Sequence, residues 1–419
     1  MMKIDNLAAA TEILNTYISP GRTKYTLDNM RALMQFLGNP QNKLRVIHVA
    51  GTSGKTSISY YIAGLLHYAG YNVGLTVSPH IMAVNERVQI DLQPLAEKQF
   101  CKLLGEFVAL VDTSGVKPSY FELLVAFAYW TFDKLEVDYA VVEVGLGGLL
   151  DGTNVVDTPD KVCVITDIGL DHVEILGNDI ASVAAQKAGI IHPGNQVFMQ
   201  TQDPVAVEIV SNTCQKIGAT AHITAETNLG FELPAFQNRN LSLARTVASF
   251  VIEQEGGQLI PGVLERAASI VVPGRMEYFE YRGRNIIIDG AHNAQKTEAL
   301  VRSIKGIYPN TKMAVMVSFG NNKTSSFEES LRLLREVCDE IIITEFDSSQ
   351  DEYRKAMRAQ ELAETARNIG YPTVMLEASL NKALNLLVSK SEGPCLVTGS
   401  LYLVSQVRAM ILGLENISH

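Results

Sequence analysis

Four hydroxyls, two glycines and one lysine fill seven consecutive residues, Gly51-Thr52-Ser53-Gly54-Lys55-Thr56-Ser57. An apolar, β-branched run from Val46 to Val49 leads into them, and an apolar-periodic segment from Ile58 to Leu66 follows. That order predicts a strand, a tight loop and a helix. Such a junction aims backbone N–H groups and the positive end of a helix dipole at one point, where a phosphate sits. Lys55 is then placed to reach the β- and γ-phosphates of a nucleotide, and the Thr56 hydroxyl to ligand Mg2+. The general pattern puts four residues between its first glycine and the Gly-Lys pair, and Val49 occupies that first place here. An ordinary glycine-rich turn is the bland alternative, but the flanking strand and helix favour the phosphate.

Other positions invite chemistry with less to decide them. Glu143 closes the apolar run Val137 to Val144, where a buried carboxylate needs a metal ion, a fixed cation or a helix N-terminus. His172 lies in a polar loop with Asp167, Asp171 and Glu174; it is either a ligand or a hydrogen-bonded core histidine. Lys187 sits in an apolar helical run, where a lysine snorkelling to the surface is the simplest expectation. Ile286-Ile287-Ile288-Asp289-Gly290-Ala291-His292-Asn293 ends a strand in three close polar groups. They could close over a nucleotide or merely cap a helix. Arg275, after Pro273-Gly274, could reach a phosphate or make a surface ion pair.

The elements that position these residues alternate along the chain. Short amphipathic helices are expected over residues 1–45, broken at Ser19-Pro20-Gly21 and Gly38-Asn39-Pro40. Strands follow at 72–77, 137–144, 162–166 and 197–199, with helices at 96–112, 119–135 and 240–253. Val271-Val272-Pro273-Gly274-Arg275 reads as a hinge. Beyond it, strands at 285–289, 313–318, 340–344, 373–376 and 395–398 alternate with helices such as 326–337 and 356–369. Uninterrupted apolar strands between helices imply an α/β fold with a parallel sheet covered on both faces.

Composition excludes several classes. The 419 residues are 47% hydrophobic and 19% charged, which fits a globular chain of two or three domains. A net charge of -10 with no basic run argues against nucleic acid or a membrane surface as partner. The cysteines, Cys101, Cys163, Cys214, Cys338 and Cys395, are scattered and odd in number, without metal-site spacing, and suggest buried thiols in a reducing compartment. With no leader-like N-terminus and no membrane-length apolar stretch, a cytoplasmic protein is expected.

Taken together the stretches resemble the folylpolyglutamate and dihydrofolate synthases of the Mur ligase superfamily. They are His48 to Ser57, Ser78-Pro79-His80, Asn85-Glu86-Arg87, Tyr120-Phe121-Glu122-Leu123, Glu143 to Gly148 with Asp151-Gly152-Thr153-Asn154, and Ile168 to His172. Lys187 to Ile191, Gln237 to Asn240, Pro273-Gly274-Arg275, Asp289 to Asn293 and Gly399 to Tyr402 complete the set. The resemblance implies a P-loop ATPase domain over 1–273, its parallel sheet flanked by helices and carrying the pterin or folate site. A smaller, Rossmann-like glutamate-ligase domain over 274–419 is implied with it. Gly51, Thr52, Ser53, Gly54, Lys55, Thr56 and Ser57 would hold ATP, and Asn240, Arg275, Asp289 and His292 would contact it. Thr56, Ser78, Glu143 and His172 would ligand magnesium, Lys187 would be carbamylated, and Tyr120, Phe121, Glu122, Leu149, Asp151 and Gly152 would lie at the pterin.

The implied reaction joins L-glutamate to a folate or pterin carboxylate through an acyl phosphate, at the expense of ATP, in a monomeric enzyme. Lys55, Lys187 and His292 are its catalytic candidates. The chain departs from the family pattern at Ser53 and Thr56, at Leu149 and Gly152 in place of arginine and alanine, and at Phe236 in place of histidine. The alternatives are a Mur-type ligase acting on a muramyl precursor and a nucleotide-binding regulator without catalysis.

Overall fold

The computed structural model describes residues 3–18, 26–321, 327–348, 354–391 and 393–414. The expected break at Ser19-Pro20-Gly21 and the first residue of the expected helix 326–337 lie outside them. Two compact units form. The first takes residues up to Phe231 and Asn238–Ile270, and the second takes Glu232–Gln237 and Val271 onward.

The first unit is built on an eight-stranded sheet in the order β4-β3-β2-β5-β1-β6-β7-β8. Its strands are β1 (Arg45–Ala50), β2 (Val73–Thr76), β3 (Gln89–Ile90), β4 (Gln93–Pro94), β5 (Tyr139–Glu143), β6 (Val162–Ile165), β7 (Gln196–Gln200) and β8 (Thr220–Thr224). From β2 to β8 all neighbours run parallel. The central strands are buried at nearly every residue, which is why they read as unbroken apolar runs.

Helices cover the sheet. These are α1 (Leu7–Asn15), α2 (Asp28–Phe36), α3 (Lys55–Tyr68), α4 (Glu97–Ser114), α5 (Tyr120–Lys134), α6 (Val173–Leu176), α7 (Ile180–Ala188), α8 (Pro204–Ile217), α9 (Ala235–Gln254) and α10 (Pro261–Ala268). One core gathers α1, α2, α4 and α5 against Val46, Ala140 and Val142. Another gathers α7 and α8 against Cys163, Ile165, Val197 and Met199. Helix α5 is apolar on nearly all sides because it is buried on nearly all sides.

The expected parallel sheet carries one addition that the sequence did not signal. β3 and β4 form an antiparallel hairpin at its edge, turned by Asp91 and Leu92 at φ 53° and 67°. Both centres at positive φ make the turn that matches strand twist, and Pro94 is tolerated because an edge strand has ladder groups to spare.

The second unit carries a six-stranded sheet in the order β15-β12-β11-β16-β10-β9. Its strands are β9 (Glu277–Tyr281), β10 (Arg284–Ile288), β11 (Met313–Val317), β12 (Cys338–Ile343), β15 (Thr373–Leu376) and β16 (Cys395–Thr398), with a separate hairpin of β13 (Asp347–Ser348) and β14 (Arg354–Lys355). Only β9 runs antiparallel in the six-stranded sheet. Helices α11 (Ala294–Ile307), α12 (Phe327–Leu334), α13 (Ala359–Ile369), α14 (Leu380–Lys390) and α15 (Leu401–Ile411) pack on it. Arg408 of α15 donates from Nε to both Glu277 carboxylate oxygens at 3.0 Å, tying the helix to the edge strand. At the expected hinge, Arg275 N–H donates to the Val272 carbonyl across Pro273-Gly274, with Gly274 at φ 65°.

Candidate active site

The glycine-rich loop leaves β1 at the centre of the first sheet and enters α3 at Lys55. Two glycines are required for different reasons. Gly54 has φ 89°, a left-handed conformation at the head of the helix. At Gly51 a Cβ would lie 1.7 Å from Thr166 Oγ1, so the backbone approaches β6 too closely for any side chain. The stretch after β6 forms the floor of the loop. The N–H groups of Thr52 and Ser53 donate to the Asp167 carbonyl at 2.9 and 3.1 Å. Thr166 Oγ1 donates to the Ser53 carbonyl at 2.6 Å, and Thr52 Oγ1 to the Gly169 carbonyl at 2.8 Å.

Two lysines meet on this loop. Lys55 Nζ donates to the Gly51 carbonyl at 3.0 Å, and Lys187 Nζ, from the last turn of α7, donates to the same oxygen at 2.8 Å. Lys187 is 3% exposed, which overturns the snorkelling surface lysine that its helix composition suggested. The apolar face of α7 is turned inward, and the loop carbonyl gives its ammonium a partner there.

Glu143 ends β5, paired with Val49 of β1. The carboxylate is buried, and both oxygens accept: Oε1 from the Thr56 hydroxyl at 2.9 Å and Oε2 from the Ser78 N–H at 3.1 Å. Thr56, Ser78 and Glu143 are thus brought together from the first turn of α3, the loop after β2 and the end of β5. His172 heads α6 at φ 50°, with Asp171 and Glu174 oxygens each 3.9 Å from its ring. Among the described residues no three His, Cys, Asp or Glu side chains converge into a metal cage. A buried carboxylate beside a hydroxyl still suits magnesium, which takes hard oxygen donors and keeps several waters.

The β5–β6 loop is knotted around Asp151. Its carboxylate accepts from the Leu146 N–H at 2.7 Å and from the Thr153 N–H and hydroxyl at 3.0 and 2.5 Å. Burial pushes this carboxyl upward in pKa while those donors hold it down. Asn154 donates to the Leu149 and Gly189 carbonyls at 3.0 and 2.9 Å, stitching the loop to the end of α7. Leu149 is 43% exposed. Tyr120 is buried in the core, Glu122 closes a capping box with Ser119, and Phe121 lies against Gly145 and Gly152. His48 gave no signal in an apolar strand, yet its Nε2 lies 2.8 Å from Thr153 Oγ1. Burial, and then the Lys161 ammonium, hold His48 well below the usual histidine pKa.

In the second unit, Asp289 directly follows β10 and accepts from the Met276 and Ala291 N–H groups at 2.9 and 2.8 Å. Burial raises its carboxyl and the Arg275 guanidinium opposes the rise. The N-cap of α11 is Asn293, not Asp289. His292 Nδ1 lies 2.8 Å from the Gly290 carbonyl and Nε2 lies 3.0 Å from Lys296 Nζ. The contacts place the ring proton on Nδ1 and leave Nε2 accepting from an ammonium. Arg275 Nη1 donates to the Gly274 carbonyl at 3.1 Å and touches the backbone at Gly290, where a Cβ would lie 2.8 Å from it.

Comparison with known proteins fits this architecture. The model of the Mur ligase middle domain matches residues 49–254, and that of the dihydrofolate synthetase C-terminal domain matches 275–411. Dihydrofolate synthetase of Saccharomyces cerevisiae is 30% identical over 413 residues, covering 91% of this chain and 96% of that one. Dihydrofolate synthase/folylpolyglutamate synthase of Bacillus subtilis is 29% identical over 425 residues, covering 93% and 96%. The structure of Mycobacterium tuberculosis folylpolyglutamate synthase complexed with ADP superimposes with a TM-score of 0.86 at 28% identity, covering 97% of this chain and 98% of that one. In class the protein is a Mur-type, ATP-dependent ligase. More narrowly, the chain belongs to the folylpolyglutamate synthase/dihydrofolate synthase family.

Proposed function

We propose that the chain adds L-glutamate to a pteroate-type carboxylate, dihydropteroate foremost, with residues 51–57 holding the ATP phosphates. The observation that carries this reading is the convergence of Lys55, Lys187, Thr56 and Glu143 on one strand-to-helix loop. The match of residues 275–411 to a dihydrofolate synthetase domain supports dihydropteroate as the carboxylate. Five free, buried cysteines fit a reducing, cytoplasmic setting, and a composition without a basic run fits an enzyme that handles small molecules; a monomer is the active form in this reading.

A substrate carboxylate oxygen attacks the γ-phosphorus and ADP leaves, giving an acyl phosphate. The glutamate amine then attacks the acyl carbon, phosphate leaves, and one proton is lost from nitrogen. Loop N–H groups and Lys55 offset the charge that builds on the transferred phosphoryl group. Thr56, Ser78, Glu143 and His172 would hold magnesium, which neutralises phosphate charge when bound. Asn240, Arg275, Asp289 and His292 contact the nucleotide in this reading. His292 is the candidate base, and to take the proton its Nε2 must exchange the Lys296 ammonium for the incoming amine.

Lys187 acts as its carbamate. The two ammonium groups on the Gly51 carbonyl stand at most about 6 Å apart, a range in which like charges disfavour each other. Addition of CO2 to the neutral Lys187 amine, with loss of a proton, replaces that repulsion by attraction to Lys55 and magnesium. Phe121, the Asp151–Gly152 turn and exposed Leu149 line the pterin side, with Tyr120 and Glu122 fixing the helix behind them.

The test is phosphate release from ATP, Mg2+ and glutamate with dihydropteroate, tetrahydrofolate or a muramyl nucleotide. Turnover with dihydropteroate that disappears in Lys55→Ala, with the circular dichroism unchanged, is expected. Turnover only with the muramyl compound, or none with any carboxylate, would overturn the reading.

A further inference from the structure

The phosphate loop does not hold its own shape. Its floor is the segment Thr166–Gly169, and the hydrogen bonds of Thr52, Ser53 and Thr166 described above run between the two. That floor is held in turn by a residue 72 positions away. Arg239 of α9 grips the Asp167 carboxylate with Nε on Oδ2 at 2.9 Å and Nη2 on Oδ1 at 2.7 Å. Its Nη2 also donates to the Thr201 carbonyl at 3.0 Å, and Glu226 lies 3.6 Å from Nη1. Hydrogen bonding to Asp167 raises the Arg239 pKa, so its charge is permanent. The next residue, Asn240, places Oδ1 2.6 Å from where a Cβ on Gly54 would be. One helix therefore touches the loop at both ends: directly at Gly54, and through Asp167 at Thr52 and Ser53.

We propose that Arg239 is a positioning residue for nucleotide binding, acting through Asp167 on the amides of the phosphate loop; this rests on the reading that the loop holds ATP. The guanidinium fork fixes the Asp167 side chain, and with it the carbonyl to which two loop N–H groups are bonded. Without the fork, residues 51–54 gain conformations that do not present their remaining N–H groups together, and phosphate affinity falls. Arg239 touches no substrate in this role, so its effect is confined to the nucleotide.

Calorimetric binding of the ATP analogue AMPPCP with Mg2+ tests this on the full chain. Arg239→Ala is expected to weaken binding about tenfold, the size of one charge-assisted hydrogen bond. Arg239→Lys, which keeps the charge but loses the fork, recovers part of the loss. Asp167→Asn weakens binding similarly, and the double variant is no worse than Arg239→Ala alone, because the two act as one unit. The KM values for dihydropteroate and glutamate stay within about twofold of wild type, as expected of a substitution that touches neither. Unchanged AMPPCP affinity in Arg239→Ala overturns the proposal, as do additive losses in the double variant or equal losses for all three substrates. Lys55→Ala separates the two ideas. If it also binds AMPPCP normally, the loop reading itself fails; if it loses binding while Arg239→Ala does not, only the positioning role fails. Should Arg239→Ala not fold, Arg239→Lys and Asp167→Asn carry the test.

Discussion

Lys55 and Lys187 donate to one and the same oxygen, the carbonyl of Gly51, from a helix that follows the loop and a helix that packs beside it. Two ammonium groups on one acceptor is an arrangement that invites neutralisation of one of them. Lys187→Ala is therefore expected to lose ligase activity by at least about 100-fold, as for a group acting on transition-state charge. If the proposed carbamate is the active form, formate or acetate should restore part of the activity by occupying its place. The measurement is phosphate release with and without the small carboxylate; full activity without any additive would make Lys187 purely structural.

The Thr56 hydroxyl bonded to Glu143 yields a second expectation. Thr56→Val keeps the shape but leaves a buried carboxylate one donor short and, in the proposed site, would remove a magnesium ligand. Activity should fall about 10- to 100-fold, the worth of a hydrogen bond to a charged group, and the Mg2+ concentration for half-maximal rate should rise. Thr56→Ser should retain most of both. A magnesium titration of the two variants decides it, and identical titrations would remove Thr56 from the metal site.

Two glycines respond oppositely to alanine. At Gly51 the new Cβ meets Thr166 Oγ1 at 1.7 Å, whereas at Gly152 its nearest contacts are Phe121 and Glu122 carbons at 3.4 to 3.5 Å. Gly51→Ala is expected to cost about 1–3 kcal/mol of stability through overpacking. Gly152→Ala should be neutral or stabilising by up to about 1 kcal/mol, by restricting the unfolded chain. Thermal unfolding of the pair measures the contrast.

His48 ties stability to pH. Its folded pKa lies well below 6.5, first through burial and then through the Lys161 ammonium. Below about pH 6.5 the unfolded chain takes up a proton that the folded chain refuses, so stability is full above that pH and declines as pH falls. The slope is about 1.4 kcal/mol per pH unit for this one group. Urea unfolding at pH 7, 6 and 5 should show that decline, and His48→Gln should be shallower by about that slope; parallel profiles would assign the pH dependence elsewhere.

The sequence carried some of this plainly and hid the rest for physical reasons. Strand, loop and α3 were legible because hydrophobic pattern and glycine punctuation coincide there. Glu143 and Asp289 were legible as carboxylates at the ends of apolar strands. The hairpin turned by Asp91-Leu92 was hidden because leucine at positive φ is no turn signal, and its strands are two residues long. Helix α13 starts at Ala359, later than its periodicity suggested, because the Ala356 and Met357 N–H groups donate to the Phe346 and Phe319 carbonyls instead. Helix α9 starts at Ala235, earlier than expected. The burial of Lys187 depends on which face of α7 meets the loop, and Arg239 meets Asp167 across 72 residues. Neither fact has a one-dimensional pattern.

The strand order β2-β5-β1-β6 gives the loop its neighbours, and the pairings Val49 with Glu143 and Ala50 with Ile165 fix where each neighbour stops. Side chains alternate faces along a strand, so a shift of one residue in β5 would turn Glu143 to the other side of the sheet. The sheet thus serves as a ruler on which the reactive groups are graduated. The loops beyond the strand ends can lengthen, shorten or change sequence without moving that ruler, whereas a residue inserted or deleted inside one of these four strands would re-aim every group after it.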